Sequence, residues 1–185
     1  MGPAAPKILQ KRLKRKKEAK IMSENSGLMP EIAPWMPEDP QSLVFHAENL
    51  KWFSPGELHN PSKLALVDSL PTLTINLFMQ EILPGGSSDM QRHFHETVHF
   101  VIEGRGYSII EGKRLEWKTG DMILTPPWTW HRHYNADPNK PVRMLGIENS
   151  KLLDKLGHLN KRESAGLKSW EDLQKEGFTD SSAGE

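Results

Sequence analysis

Cysteine occurs nowhere in the 185 residues, so disulfides and thiolate–metal bonds are excluded. No apolar run approaches the roughly 20 residues a membrane-spanning helix needs, and no apolar stretch follows the charged start as a secretory signal would require. A reducing cytoplasm is the expected compartment, with no membrane partner. Net charge is also absent, because 24 Lys and Arg offset 24 Asp and Glu. That balance is uneven along the chain. Residues 1–20 carry eight basic groups against one Glu, which leaves the remainder at −7. A mildly acidic body is not the profile of a nucleic-acid-binding domain. The run KRLKRKK fits the loose pattern of a nuclear localisation signal, but like charges repel and stay solvated, so the arm is expected to lie outside the main function. Met22 offers a second start.

What is present is organised as short apolar runs between turns. Residues 1–42 read as a basic arm and a Pro-rich extended lead-in, with Trp35 as its anchor. From 43 to 148, LVFHA, KLALVD, TLTINLFMQEI, HFVIEG, YSIIEG, RLEWK, DMILT, WTWHRHYN and VRMLGIEN have strand length and composition. EILPGGSSD, EGRG, EGKR, KTGD, TPPW and NADPNKP supply turns. Many short strands without intervening helices predict an all-β fold, a small barrel or sandwich. Residues 149–185 change period. Leu152, Leu153, Leu156 and Leu159 recur at helical spacing, a second short helix is predicted in LKSWEDLQKEG before Gly177, and the last eight residues are expected to fray.

The histidines are grouped. His93 and His95 share one face if they lie on a strand, as do His131 and His133, because strand side chains alternate. Neutral imidazole suits Fe, Zn, Cu and Ni. An HxH pair alone also arises when two histidines satisfy each other or water, so the framing residues decide the reading. After His93 and His95 come three residues, then His99, then six residues to Gly106. Gly120, Pro126, His131 and Asn135 form a second spaced set.

These two sets resemble the paired motifs of the cupin superfamily. In the first, six residues separate Gly86 from His93 where the family has five, and His99 stands where Glu is usual. In the second, Trp128 stands where Gly is usual. The resemblance implies a cupin fold, a double-stranded β-helix or jelly roll, over 43–148. Within the superfamily, GDMILTPPWTWHRHYN is most similar to the gentisate, salicylate and 1-hydroxy-2-naphthoate ring-cleaving dioxygenases. Thr125, Pro126, Trp128, Trp130, His131, His133 and Asn135 match, while Arg132 and Tyr134 depart from the usual Asp and Gly. Family members usually carry two cupin domains, and this chain has one set of motifs.

The resemblance implies that His93, His95 and His131 ligate a metal, with Fe(II) expected and Mn, Ni, Cu or Zn as alternatives. His99 is then a fourth ligand, a proton carrier beside the ion, or a packed strand residue. His133 is the expected acceptor of a phenolic proton. Trp128 and Trp130 form either a ring-accepting wall or core packing, and Arg143 is either a carboxylate partner or an outward salt-bridge residue. The implied reaction takes a small aromatic ortho-hydroxycarboxylate and dioxygen as partners. The alternatives are another metal-cupin reaction (β-diketone cleavage, lyase, decarboxylase, isomerase) and a non-catalytic binding cupin. Exposed sheet edges predict a homodimer or larger assembly, with the 23–60 segment crossing to its neighbour.

Overall fold

The computed structural model describes residues 37–178, so Trp35, the basic arm and the residues after Phe178 lie outside it. The chain divides into two compact units, Met1–Gln41 and Ser42–Glu185. Of the first only 37–41 is described, where the Gln41 amide donates to the Asp39 carboxylate at 2.9 Å. The β-rich body belongs to the second.

Among the described residues that body has eleven strands: β1 (Trp52–Phe53), β2 (Lys63–Leu66), β3 (Asn76–Ile82), β4 (Met90–His93), β5 (Thr97–Glu103), β6 (Arg105–Ile110), β7 (Lys113–Lys118), β8 (Met122–Thr125), β9 (His131–Asn135), β10 (Val142–Glu148) and β11 (Arg162–Gly166). The helices are α1 (Ser150–Lys155) and α2 (Trp170–Lys175). The strands form two antiparallel sheets ordered β1-β2-β3-β10-β5-β8 and β11-β4-β9-β6-β7. From β3 onward successive strands switch sheets, the β6–β7 hairpin excepted, and this is jelly-roll topology. The barrel is not closed by hydrogen bonds, and the fold is a two-sheet sandwich.

Two expectations need correction. LVFHA is not a strand. It lies at the 3₁₀ turns Pro40–Leu43 and Ala47–Asn49, where Leu43 and Val44 are exposed and have no sheet to bury against. The segment after 148 is not purely helical, because β11 pairs antiparallel with β4 between the two helices.

Each inner strand is apolar at one end and polar at the other. Ile82, Val101, Ile110, Trp117, Ile123, Val142 and Met144 fill one end of the sandwich. Further along the same faces lie Phe78 and Gln80 of β3, His99 of β5 and Glu148 of β10, two or four residues on in strand period. A second core forms on the outer side of β4 and β9, where Met90 and Trp130 pack with Leu173 of α2, flanked by Ala165 and Trp170. Burying Leu173 alone is worth about 2 kcal/mol. Helix α2 starts at a capping box in which Ser169 and Asp172 satisfy each other's backbone amides. Arg132 secures this segment by donating to the carbonyls of Leu167 (2.7 Å) and Lys168 (3.3 Å). Among the described residues no helix is long and apolar enough to cross a membrane.

Candidate metal centre

The polar end of the sandwich opens into a cleft of about 520 Å³. His93, His95, His99 and His133 line it, and with His131 they form a chain of five imidazoles. His95 stacks on His93 with ring centres 3.6 Å apart. His93 meets His131 edge-on at 4.7 Å, His131 lies 5.7 Å from His133, and His133 lies 4.5 Å from His99. All five are buried. Strand β4 ends at His93, so the two residues of the first pair reach the same face although only one is on a strand.

Backbone carbonyls set the orientation of two rings. His93 donates from Nδ1 to the His95 carbonyl at 2.6 Å, and His131 donates from Nδ1 to the Thr129 carbonyl at 2.9 Å. With the proton held on Nδ1, each Nε2 keeps its lone pair. His133 bonds through Nδ1 to the Ser108 hydroxyl at 2.7 Å, which itself accepts from the Trp117 indole at 2.9 Å. The Nε2 atoms of His131 and His133 and the Nδ1 of His99 are buried without a hydrogen-bond partner. An unpartnered buried nitrogen is costly unless something takes its lone pair, so the donor set fits a metal ion.

The same burial keeps these rings neutral. It lowers His93 to about 4, assisted by neighbouring His95, and His99 to about 3, assisted by His131 and His93. His131 and His133 are also held well below the ordinary value, by burial first and then by the adjacent imidazoles. Ligation requires the neutral ring.

His95 is placed differently. Its Nδ1 faces the Asn160 side-chain oxygen at 2.7 Å and its Nε2 faces Glu148 Oε2 at 3.1 Å. Accordingly, among the described residues no three His, Asp or Glu side chains stand as a ready-made metal cage, and His95 would have to turn from Glu148 to ligate. Burial acts to raise the Glu148 carboxyl, but the hydrogen bond and charge of His95, with the Ser150 hydroxyl, hold it below the usual range.

His99, on β5, is cross-strand partner to Gly146 of β10, and Phe78 meets it edge-on at 5.7 Å. Gly146 has to lack a side chain, since a Cβ there would lie 2.2 Å from the Phe78 ring.

The expected ring-accepting wall is not where the tryptophans are. Trp130 belongs to the second core, and its indole donates to the Phe178 carbonyl at 3.1 Å. Trp128 packs on Phe94, and Arg92 lies over both indoles at 4.4 and 4.8 Å. Neither tryptophan is among the residues lining the cleft. Strand alternation explains Trp130: if His131 faces inward, its neighbour faces out. Trp128 has φ +57°, the left-handed backbone that the motif's usual glycine adopts freely. Arg143 also faces out, bonded to Glu81 at 2.8 Å with Glu103 at 3.7 Å. The cleft is walled instead by Phe78, Leu64 and Leu66, with the Leu58–Asn60 turn and Arg162 at its mouth. No motif pointed to Ser108, Glu148, Asn160 or Arg162. They are brought in by pairing between strands distant in sequence.

Comparison with known proteins agrees with the fold. Residues 78–148 match the cupin domain family. Gentisate 1,2 dioxygenase 1 of Aquipseudomonas alcaligenes is 36% identical over 94 residues, covering 49% of this chain and 26% of that protein. The 5-aminosalicylate 1,2-dioxygenase of Comamonas sp is 38% identical over 91 residues, covering 44% and 24%. The chain thus spans about a quarter of the length of these curated relatives. Among solved structures, the salicylate 1,2-dioxygenase of Pseudoaminobacter salicylatoxidans with gentisate aligns at TM-score 0.55 and 16% identity, over 91% of this chain and 50% of that one.

Proposed function

We propose that this chain, whose residues 78–148 form a cupin domain, is an Fe(II)-dependent dioxygenase that cleaves the ring of a small aromatic ortho-hydroxycarboxylate, with dioxygen as co-substrate. The observation that carries this reading is the set of buried imidazole nitrogens without a hydrogen-bond partner, on His99, His131 and His133, in the ring chain beside the cleft. His93, His95 and His131 would hold the ion, with Mn, Ni, Cu and Zn as competitors for an all-nitrogen site. Once bound, iron supplies a site at which both reactants meet and electron density passes between them.

The chain's own groups do the rest. Carbonyl-anchored His93 and His131 keep their lone pairs aimed without reorganisation. His133, neutral because buried and free at Nε2, takes the phenolic proton. Phe78, Leu64 and Leu66 exclude water around the ring. Two relatives that share sequence with this chain act on gentisate and 5-aminosalicylate by name, which favours an aromatic carboxylate.

A second reading keeps the metal and changes the reaction. The free Nδ1 of His99 favours it. If His99 joins the ligands, fewer positions remain for a bidentate substrate and dioxygen, and β-diketone cleavage or lyase-type chemistry takes precedence. In either case a homodimer is proposed, for which the exposed Met122 and Leu124 of edge strand β8 supply apolar surface.

The test is anaerobic Fe(II) reconstitution followed by titration with hydroxybenzoates and β-diketones, then admission of air. Charge-transfer absorption and oxygen uptake with an ortho-hydroxybenzoate are expected. Stoichiometric iron binding with response only to a β-diketone, or to none of these ligands, would overturn ring cleavage.

A further inference from the structure

We propose that Arg162, contributed by β11 after the cupin domain proper, is the anchor for a substrate carboxylate in this cleft. The proposal rests on the metal-cupin reading above for what lies beside it, and on four observations of its own.

The first is register. Arg162 is the cross-strand partner of His93, and partners directly opposite on an antiparallel pair share a face. Because His93 faces the cleft, so does Arg162. The second is composition. Arg162 lines the cleft with His93, His95 and His99, and no other Lys or Arg does so among the described residues. The remaining arginines near the site are turned away: Arg92 is held by Glu163 and the tryptophans, Arg132 by carbonyls of the C-terminal segment, and Arg143 by Glu81.

The third is preorganisation. One Nη2 of Arg162 donates to Asp89 Oδ2 at 3.2 Å. Asp89 is fully buried and also accepts from Asn60 at 2.8 Å and Ser164 at 2.9 Å. Three donors fix the carboxylate, and the carboxylate fixes the guanidinium. The fourth is availability. The Arg162 side chain remains 45% exposed and uses a single nitrogen on Asp89, so the rest of its planar fork is free for a carboxylate.

A carboxylate held there would lie beside His93, next to the ring chain that the metal reading assigns to the ion. Glu148 does not compete for Arg162, because its charge is engaged by His95 and Ser150. Asn160, two residues earlier on the approach to β11, orients His95. A single short segment outside residues 78–148 therefore supplies both a positioning group and the anion anchor.

The test loads the intact chain anaerobically with Co(II), whose visible bands report ligand changes without turnover. It is titrated with salicylate and with salicylamide, in which a neutral carboxamide replaces the carboxylate. Arg162→Gln should weaken salicylate by about 10- to 100-fold, the range for a lost hydrogen bond to a charged group, and leave salicylamide nearly unchanged. Arg162→Lys, which retains the charge beside Asp89, should fall between, and Arg143→Gln should alter neither probe.

Equal salicylate affinity in Arg162→Gln would overturn the anchor, as would equal loss of both probes. Failure of the wild type to bind salicylate would overturn the anchor and ring cleavage together. Arg162-dependent binding without oxygen uptake by the iron form would remove ring cleavage and leave the anchor standing. Oxygen uptake that persists with Arg162-independent binding would remove the anchor alone.

Discussion

A buried imidazole that donates one N–H to a backbone carbonyl must offer its other nitrogen as a lone pair, and the sandwich imposes this on His93 and His131. His133 depends on a side chain instead. The Ser108 hydroxyl stands between the Trp117 indole and His133 Nδ1, and all three groups are buried. Ser108→Ala would leave an indole N–H and an imidazole nitrogen without partners. It is expected to destabilise the fold by about 1–3 kcal/mol, read as a lowered urea midpoint with an unchanged slope. An unchanged midpoint would mean that water replaces the hydroxyl.

At the scale of the element, alternation decides which side chains meet the cleft. On β10, Val142, Met144, Gly146 and Glu148 face in while Arg143 pairs outward with Glu81. The inward Gly146 makes room for Phe78, which packs on His99. Gly146→Ala forces a methyl into that ring and is expected to cost about 1–3 kcal/mol by overpacking. Combining it with Phe78→Leu should recover part of the loss, since the two sites are in contact and therefore not additive. Thermal midpoints of the two single variants and the double variant check this, and strict additivity would refute the clash. Strand β11 belongs to the same scale. RESAG has neither β-branched nor aromatic residues, so its own propensity is weak. Pairing with the edge of β4 makes it a strand.

Across the whole molecule, collecting several neutral imidazoles under the sheets ties stability to pH. The folded chain holds His93 at about 4 against an ordinary 6.5 and His99 at about 3, so it takes up these protons later than the unfolded chain. Above pH 6.5 neither state is protonated at these sites and the full stability is present. As pH falls from there toward 4, the unfolded chain gains protons first and stability is lost. At about 1.4 kcal/mol for each pH unit separating the two states, His93 alone accounts for about 3 kcal/mol. Urea midpoints of the metal-free protein should therefore drop between pH 7.5 and pH 5, and His99→Gln should shrink the drop. A pH-independent midpoint would mean that the rings are not buried as described.

The sequence by itself determined the fold class, the strands from β5 to β10 and the grouping of His93 with His95 and of His131 with His133, while the place of His99 stayed open. Their signals are local: apolar runs of strand length, Gly and Pro turns, and HxH spacing that alternation converts into a shared face. It left the faces of the tryptophans and Arg143 open, although the two-residue period that groups His131 with His133 already excludes Trp130 from their side. Tertiary structure alone decided the remainder. Glu148 meets His95 because β10 lies beside β5, and Arg162 stands beside His93 because a strand of poor propensity adds to a sheet edge. Such neighbours are set by pairing across tens of residues, and no composition or spacing within either segment encodes which partner it will meet.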